Sequence, residues 1–352
     1  MYCNKTEILT RKGFKKIGEI DSNAKVLIKN PISGKSSWSF CNGVEKEYYT
    51  GEIHFFKTRY WDSPRFTPYT NLWTTTIKQS MGGIDSMTDR CEKLQYSSVW
   101  RKHIVLDHKI KIDKKSNPEY INIGKFEYNM LDLYYWLGIV ATDGHLSKRD
   151  PVIIITQCKD KNITEIERVM NNLFQDRWRK YQYERATSTI NYFNIQNKNL
   201  YDWTFRKIKR IKKDRRLIDL YDEHPRLLNQ FMIGALLGDG WHNIVGNNVG
   251  LFCGQSSDLA KDYQVIMGML NRRSNITIKD QRGKVTQIPT KTGFQTITSK
   301  NLMYKLSIHL EGASTVQRKH HISEIYDNHV YRPNTKDGLI YLRRNGMAFW
   351  TA

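Results

Sequence analysis

The chain lacks the features that would place it outside the cell or in a membrane. Its five cysteines are odd in number and contain no C-x-x-C pair, so the sequence predicts neither a disulfide framework nor a zinc site. No stretch approaches the roughly 18 consecutive apolar residues that a membrane helix needs, and the N-terminus has no apolar signal core. We therefore expect a soluble, intracellular protein without a membrane partner.

Acidic residues are also scarce. The 35 Asp and Glu residues stand against 56 Lys and Arg, which gives a net charge of +21 spread along the whole chain. Such an excess favours a polyanionic partner, nucleic acid first, over a basic surface that is merely solvated. A hydrophobic fraction of 39% over 352 residues supports two globular domains rather than disorder.

The pattern of residues predicts a β domain that is interrupted by an α/β insert. Short alternating runs such as KVLIKN and GEIHFFKTRY predict strands near the start, and VYRPNTKDGLIYLRRNGMAFWTA predicts strands and turns at the end. Between them, amphipathic helices alternate with pairs of short strands. We predict a β domain formed by residues 1–120 and 326–352, and an insert at residues 125–325.

Two copies of one motif occur in the insert. WLGIVATDG and MIGALLGDG are apolar helical runs that end in Asp143-Gly and Asp239-Gly. Each is followed by a strand, a glutamine, a polar turn and an amphipathic helix. The two repeats span about 129–225 and 226–325, and paired units of this kind commonly meet about a twofold axis.

Glycines in and after the motifs predict how these helices pack and end. Gly138 and Gly234 lie within the helices, where glycine costs about 1 kcal/mol relative to alanine. Close approach of two backbones would offset that cost, so we predict that the helices pack directly against each other. Gly144 and Gly240 follow the acids, and we expect both to end their helices in the left-handed conformation.

That packing would bring Asp143 and Asp239 together at the C-terminal ends of both helices. Two adjacent carboxylates near the negative ends of helix dipoles are unfavourable unless a cation neutralises them. Oxygen ligands suit Mg²⁺, which is typically held by one or two carboxylates and by phosphate oxygens of the substrate. If each Asp-Gly pair were only a helix-ending turn, a matching second copy would be unexpected.

The two motifs resemble those of the LAGLIDADG homing endonucleases in their single-chain form, over roughly residues 125–325. The resemblance implies an α+β fold in which pseudo-twofold αββαββα repeats form a saddle on double-stranded DNA, as a monomer. It also implies that Asp143 and Asp239 bind the catalytic Mg²⁺. The glutamine after the first strand pair of each repeat, Gln157 or Gln255, would lie near the site.

The same resemblance implies further site residues with basic or polar side chains. A lysine late in each repeat usually supports the attacking water in this family, and Lys213 and Lys319 are the candidates here. The strands of the saddle would present other side chains to phosphates and base edges. The candidates for those DNA contacts are Lys159, Lys161, Lys180, Tyr183, Arg185, Lys279, Lys284 and Lys291.

The two ends of the chain resemble the all-β Hint domain of inteins, which often carry this endonuclease as an insert. CNKTEILTRKGFKKIGEI is similar to the opening block of that domain, with Cys3 at the position of the splicing nucleophile. The other splicing residues are replaced. Thr67 stands in the expected Thr-x-x-His block, Thr70 takes the place of its histidine, and the terminal Asn is missing.

Three functions follow from these observations. The first is site-specific, Mg²⁺-dependent cleavage of both DNA strands by a homing endonuclease with a non-splicing Hint-like domain, inside a bacterial or phage-infected cell. The second is an intein that carries this endonuclease and has lost its splicing residues. The third is a nucleic-acid-binding protein without cleavage activity, such as an RNA maturase, which the two acids disfavour because carboxylates beside phosphate weaken simple binding.

Overall fold

The chain folds into two compact units. The structure is a computed structural model, and it describes residues 1–58, 62–76, 86–90, 104–113, 116, 118–147, 149–185, 188–208, 216–243, 248–290, 293–309, 314–335 and 338–351. Unit 1 comprises Met1–Asp113, Met267–Thr277 and Ser307–Ala352, and unit 2 comprises Lys114–Ile266 and Ile278–Leu306. These divisions differ from the predicted boundaries near residues 120 and 325. The unit boundaries after residues 266, 277 and 306 fall within continuous helices and strands, where the residue pattern shows no break.

Unit 1 is built on one sheet of twelve strands, in the order β1-β22-β5-β4-β2-β23-β24-β6-β8-β21, with β3 paired to β2 and β7 paired to β6. Residues from both ends of the chain therefore share one sheet. The strands are β1 (Tyr2–Cys3), β2 (Glu7–Thr10), β3 (Gly13–Lys16), β4 (Lys25–Lys29), β5 (Ser36–Phe56), β6 (Asn71–Thr76), β7 (Ser86–Arg90), β8 (Ile104–Leu106), β21 (Ser314–Val316), β22 (His321–Thr335), β23 (Leu339–Arg344) and β24 (Met347–Thr351).

The core of unit 1 joins the first strands of the chain to the last ones. Ile8 and Val26 pack in one buried cluster with Leu342 and Phe349 from β23 and β24. All six residues of β23 are buried, including Arg343, whose guanidinium is paired with Glu7. Burying a charge costs several kcal/mol unless it is paired and hydrogen-bonded, so the pairing stabilises the position of β23 beside β2.

Unit 2 contains four of the five described α-helices entirely, and the fifth runs past its boundary. The helices are α1 (Met130–Asp143), α2 (Asp160–Phe174), α3 (Lys198–Ile208), α4 (Pro225–Asp239) and α5 (Ser257–Met269). Asn129 caps α1 by accepting hydrogen bonds from the Leu131 and Asp132 amides. In α4, Pro225 occupies the first helical position, where its missing N–H has no intrahelical partner to lose. None of the described helices is long and apolar enough to span a membrane.

Two four-stranded sheets with the same connectivity follow α1 and α4. Their orders are β11-β12-β14-β13 and β15-β16-β20-β17, and two short hairpins, β9-β10 and β18-β19, complete the strands. The bounds are β9 (Tyr120–Ile123), β10 (Phe126–Asn129), β11 (Gly144–Leu146), β12 (Val152–Gln157), β13 (Trp178–Arg185), β14 (Ser188–Gln196), β15 (Gly240–Asn243), β16 (Asn248–Phe252), β17 (Arg273–Asp280), β18 (Val285–Thr290), β19 (Gly293–Thr298) and β20 (Leu302–His309).

Candidate active site

Helices α1 and α4 cross at glycines. A Cβ atom on Gly138 would lie 2.0 Å from the Phe231 carbonyl oxygen, and one on Gly234 would lie 1.9 Å from the Tyr135 carbonyl oxygen. Carbon and oxygen atoms cannot approach so closely, so only glycine permits this contact between the backbones. The prediction that the two motif helices pack directly against each other is confirmed.

The glycines that follow the acids have a different role from the predicted one. Gly144 (φ −83°, ψ 159°) and Gly240 (φ −76°, ψ 154°) are extended, so the prediction of a left-handed helix end is wrong. Each glycine instead starts a strand that turns sharply back from its helix. A Cβ there would lie 2.5 Å from the Val140 carbonyl oxygen or 2.0 Å from that of Leu236. Steric room, rather than a positive φ, explains the glycine.

The carboxylate of Asp143 lies against the last turn of α4. A Cβ on Gly238, the residue before Asp239, would lie 3.0 Å from Asp143 Oδ2 and 2.1 Å from the Thr142 hydroxyl oxygen. Asp143 and Asp239, the last residues of α1 and α4, are both partly exposed. The crossing of the helices therefore brings the first acid next to the backbone that carries the second, at an edge that solvent reaches.

Gln157 fixes the orientation of the first carboxylate. Its side-chain nitrogen donates to Asp143 Oδ2 at 2.8 Å, and its Oε1 accepts from the Cys158 and Lys159 amides at 2.9 and 3.0 Å. The side chain is only 6% exposed. Both polar atoms of the Gln157 side-chain amide thus have defined partners. The amide therefore holds the Asp143 carboxylate in one orientation.

The register of the second sheet places Cys253, and not Gln255, at the position of Gln157. Gly144 pairs with Ile155 and Gly240 pairs with Leu251, so the residues two further along are Gln157 and Cys253. Cys253 is buried, whereas Gln255 is exposed in the turn before α5. The matching of the two glutamines by sequence is corrected. Gln255 lies two residues beyond that position, in a turn where Gly254 has φ +58°.

A lysine that was missed in the sequence lies on the second sheet. Lys305 Nζ is 3.4 Å from the centroid of the Trp241 ring and 5.7 Å from that of Phe252. Trp241 follows the Asp239-Gly240 pair directly and lies across Gly250, where a Cβ would meet its ring nitrogen at 2.1 Å. Burial, and then the charge of Lys279, lower the pKa of the Lys305 ammonium from its usual value.

The described residues of the unit that carries the aspartates include neither of the two lysines proposed to support catalysis. Lys213 lies outside the described residues. Lys319 is exposed in a short 3-10 turn, Arg318–His320, which belongs to unit 1 and not to the unit that carries the aspartates. A signal for Lys305 existed in LMYKLSIH, where the lysine alternates with the buried residues Leu306 and Ile308 and so points to the opposite face.

The candidates for DNA contact have mixed placements. Tyr183 is 43% exposed on β13, and four lysines are also exposed: Lys159, Lys161, Lys279 and Lys284. Lys180 is on the other face of β13, where its ammonium donates to Glu167 of α2 at 2.7 Å, and its contact with DNA stays a prediction. The side chain of Arg185 and the whole of Lys291 lie outside the described residues.

The open face of the first sheet carries the predicted Tyr183 together with two residues that the sequence did not single out, Arg179 and Tyr181. Arg179, Tyr181 and Tyr183 alternate along β13 and are exposed, on the side opposite the buried Phe193. An exposed cation and two exposed aromatic rings on one strand form a surface suited to phosphates and to the edges of bases. We refer to Arg179, Tyr181 and Tyr183 as the β13 face.

The residues compared with intein splicing lie in unit 1. The Thr70 and Thr67 hydroxyls accept hydrogen bonds from the Met1 nitrogen at 3.0 and 3.4 Å, and the Thr67 amide donates to the Met1 carbonyl at 3.0 Å. Cys3 is 2% exposed, and its sulfur accepts a hydrogen bond from the Arg344 guanidinium. The threonine pair thus contacts Met1, while the thiol is buried two residues further on.

Comparisons with known proteins give distant structural likenesses. No protein-family model matches the chain, and no curated protein matches it significantly. A structure of variants of the homing endonuclease I-DmoI is 14% identical, with a TM-score of 0.35, over 51% of this chain and 89% of that one. I-DmoI in complex with DNA and Ca is 14% identical, with a TM-score of 0.34, over 51% and 84%. The N-terminal LAGLIDADG domain of DUF199/WhiA is 11% identical, with a TM-score of 0.31, over 54% and 79%.

Likenesses at these TM-scores do not establish activity, which depends on the chemistry of the site. The two carboxylates supply hard oxygen ligands, which suit Mg²⁺, Mn²⁺ or Ca²⁺ better than softer metals. Across the described residues, no group of three or more His, Cys, Asp or Glu side chains is arranged to hold a metal. A cation at Asp143 and Asp239 would therefore depend on water and substrate oxygens for its remaining ligands.

Proposed function

We propose that unit 2 is a divalent-cation-dependent endonuclease that hydrolyses phosphodiester bonds of double-stranded DNA, with one strand cut at each aspartate. The observation that carries this proposal is the position of Asp143 Oδ2, 3.0 Å from the Cβ site of the residue before Asp239. Asp143 and Asp239, both partly exposed, are the last residues of two crossing helices. Their mutual repulsion and the helix dipoles oppose the arrangement, so a ligand of positive charge is its simplest explanation.

Asp143 and Asp239 would hold the cation, with Mg²⁺ as the proposed physiological ion. When bound beside a phosphodiester, such an ion activates water and stabilises charge on the leaving oxygen. The donor set fits this ion, because Mg²⁺ is usually held by one or two carboxylates and keeps several waters.

The remaining residues of the site differ in their proposed roles. Gln157 positions the Asp143 carboxylate, because it donates to Oδ2 while its own oxygen is held by two amides. Lys305 is proposed to stabilise negative charge at the half of the site that contains Asp239, where Trp241 holds its ammonium. The β13 face and the exposed lysines Lys279 and Lys284 are proposed to contact DNA, in keeping with the net charge of +21.

Unit 1 is proposed to be a Hint-like domain without splicing activity, and the protein a homing endonuclease rather than an active intein. Cys3 is buried, and its sulfur accepts a hydrogen bond from Arg344. Thr70 supplies a hydroxyl where the splicing block needs an imidazole, and a hydroxyl is a poor general acid at neutral pH.

The test is cleavage of a plasmid library by the purified protein, with Mg²⁺ or with a chelator, followed by sequencing of the new ends. We expect double-strand breaks at defined sites that need the metal. Asp143→Asn and Asp239→Asn should each abolish double-strand breaks, because both acids hold the cation. Asp176→Asn, a change at an exposed acid just beyond α2, is the matched control. Full cutting by both asparagine variants would refute the proposed active site.

A further inference from the structure

A basic cavity of about 410 Å³ lies in unit 1, beside the turn between β2 and β3. Arg11, Lys12, Lys15 and Lys25 line it, and Asp21 is the one acidic residue among its described lining residues. The lining therefore carries a net charge of +3. The volume lies within the range of about 300–1,000 Å³ that is usual for small-molecule and cofactor sites.

Hydrogen bonds around the cavity fix the main chain of Arg11 and Lys12. Arg11 and Lys12 form a two-residue turn between Thr10 and Gly13, which pair across the hairpin. The Thr10 side chain is buried; its hydroxyl donates to the Gly13 carbonyl at 2.7 Å and accepts from the Lys12 amide at 3.1 Å. The Arg11 amide donates to the Lys25 carbonyl at 2.9 Å. The turn is thus tied both to itself and to β4.

An exposed aromatic ring completes the lining. Phe40 is 54% exposed and stands opposite Lys25 in the β4–β5 ladder, with the Lys25 ammonium 4.9 Å from its ring centroid. Trp38 lies two residues earlier, on the same face of β5, with the Arg11 guanidinium 5.2 Å from its ring centroid. Phe40 is therefore the aromatic ring that lines the cavity, and Trp38 is its neighbour on the same face of β5.

We propose that this cavity binds one nucleotide of a single-stranded nucleic acid, with its base stacked on Phe40 and its flanking phosphates held by Arg11, Lys12 and Lys25. Aromatic rings bind unpaired bases by stacking, and basic side chains follow the backbone. A duplex offers no free base face to Phe40, because its bases are stacked on each other. The site belongs to unit 1 and does not depend on the endonuclease proposed for unit 2.

The test is photocrosslinking of the full chain to a short oligothymidylate that contains 5-iodouracil, with the crosslinked peptides identified by mass spectrometry. The Asp143→Asn/Asp239→Asn variant is used, so that cleavage does not interfere. We expect crosslinks within the segment Trp38–Phe40. Their absence from that segment, at oligonucleotide concentrations that crosslink other parts of the chain, would overturn the proposal.

Affinity variants separate stacking from simple charge. We expect Phe40→Ala to reduce that crosslink roughly 5- to 100-fold, whereas Phe40→Tyr should retain it. The matched charge pair is Lys12→Gln, which should reduce the crosslink, and Lys57→Gln, which should not. Lys57 is an exposed residue just beyond the far end of β5. Equal crosslinking by Phe40→Ala and the unsubstituted chain would contradict the proposal.

Competitors distinguish the single strand from other sources of the same chemistry. Unlabelled oligothymidylate should remove the crosslink at Trp38–Phe40 at lower concentration than thymidine monophosphate or inorganic phosphate. If thymidine monophosphate competes as well as oligothymidylate at the same concentration of nucleotide, the ligand is a free nucleotide. The assignment to a strand is then overturned. If inorganic phosphate competes equally, stacking has no part in binding and the proposal fails.

Discussion

The two halves of unit 2 share a backbone plan but differ in chemistry. Both have a helix that ends in aspartate, an extended glycine, and a four-stranded sheet of the same strand order. At the position where the first half has Gln157 bonded to Asp143, the second half has buried Cys253. The second half instead has Lys305 over Trp241.

This difference shows which features a repeated fold requires and which it leaves free. The glycines at the helix crossing are fixed by atoms of the opposite backbone, so both halves need them. Gln157 and Cys253 lie outside the helix crossing, so different side chains fit at these equivalent positions without disturbing it. The two strands of a DNA substrate are therefore expected to be cut by sites of unequal composition.

The largest expected effect is on the shared feature. Gly138→Ala and Gly234→Ala should each destabilise unit 2 by about 3 kcal/mol or more, because the new Cβ would force two packed helices apart. Urea unfolding followed by circular dichroism measures the change, with Lys161→Ala on exposed α2 as the control. Losses below about 1 kcal/mol for both variants would mean that the helices do not cross at these glycines.

The next effect is on the difference between the halves. Gln157→Ala should slow the cut that depends on Asp143 by roughly 10- to 100-fold, since a hydrogen bond to a charged group contributes about 1.5–3 kcal/mol. Gln255→Ala is the matched control and should change neither cut by more than about twofold. Nicking of each strand, measured with separately labelled ends, gives both rates. Equal losses of cutting rate for the two variants would mean that Gln255 has the role of Gln157 in the second half, contrary to the sheet register.

Removing the lysine tests the opposite half. Lys305→Met keeps the length of the side chain and removes its charge, so the cut that depends on Asp239 should slow by about tenfold, within the range for loss of one electrostatic stabiliser. Lys284→Met, an exposed change in the turn before β18, should alter DNA affinity slightly and neither cutting rate selectively. Slower cutting of the other strand would assign Lys305 to the wrong half.

The smallest expected effect is on pH dependence. The charge of Lys279 contributes to the lowered pKa of Lys305, so Lys279→Gln should raise that pKa. The limb of the pH–rate profile that reports Lys305 should then move to higher pH for the strand cut at Asp239. The profile for the other strand should stay where it is. A shift shared by both strands would indicate a general change in DNA binding instead.

Much of the central site could be predicted from the sequence, because it depends on local spacing. The apolar runs, their mid-helix glycines and the terminal acids lie within nine residues of one another in each motif, and the helix crossing they predict is present. The conformation of Gly144 and Gly240 could not be read in the same way. Whether a helix ends in a left-handed residue or turns directly into a strand depends on the sheet that follows.

The partners of the acids could not be predicted because they depend on register and on distant strands. Gln255 follows Asp239 by 16 residues and Gln157 follows Asp143 by 14, and the hydrogen-bond ladder shows that the equivalent position is Cys253, 14 residues after Asp239. Lys305 lies 64 residues after Trp241 in the chain and reaches it only because β20 pairs beside β16. Likewise, the face that Lys180 occupies is set by the pairing of β13 with β14.

The most direct test of a cation bound by both acids is cutting of the polypeptide by Fe²⁺ with ascorbate and peroxide, since Fe²⁺ can replace Mg²⁺ and generates radicals where it binds. The proposed site predicts breaks in the chain close to Asp143 and also close to Asp239, suppressed by excess Mg²⁺ and absent from Asp143→Asn/Asp239→Asn. Breaks near only one aspartate, or breaks that persist in the double variant, would contradict a shared metal site.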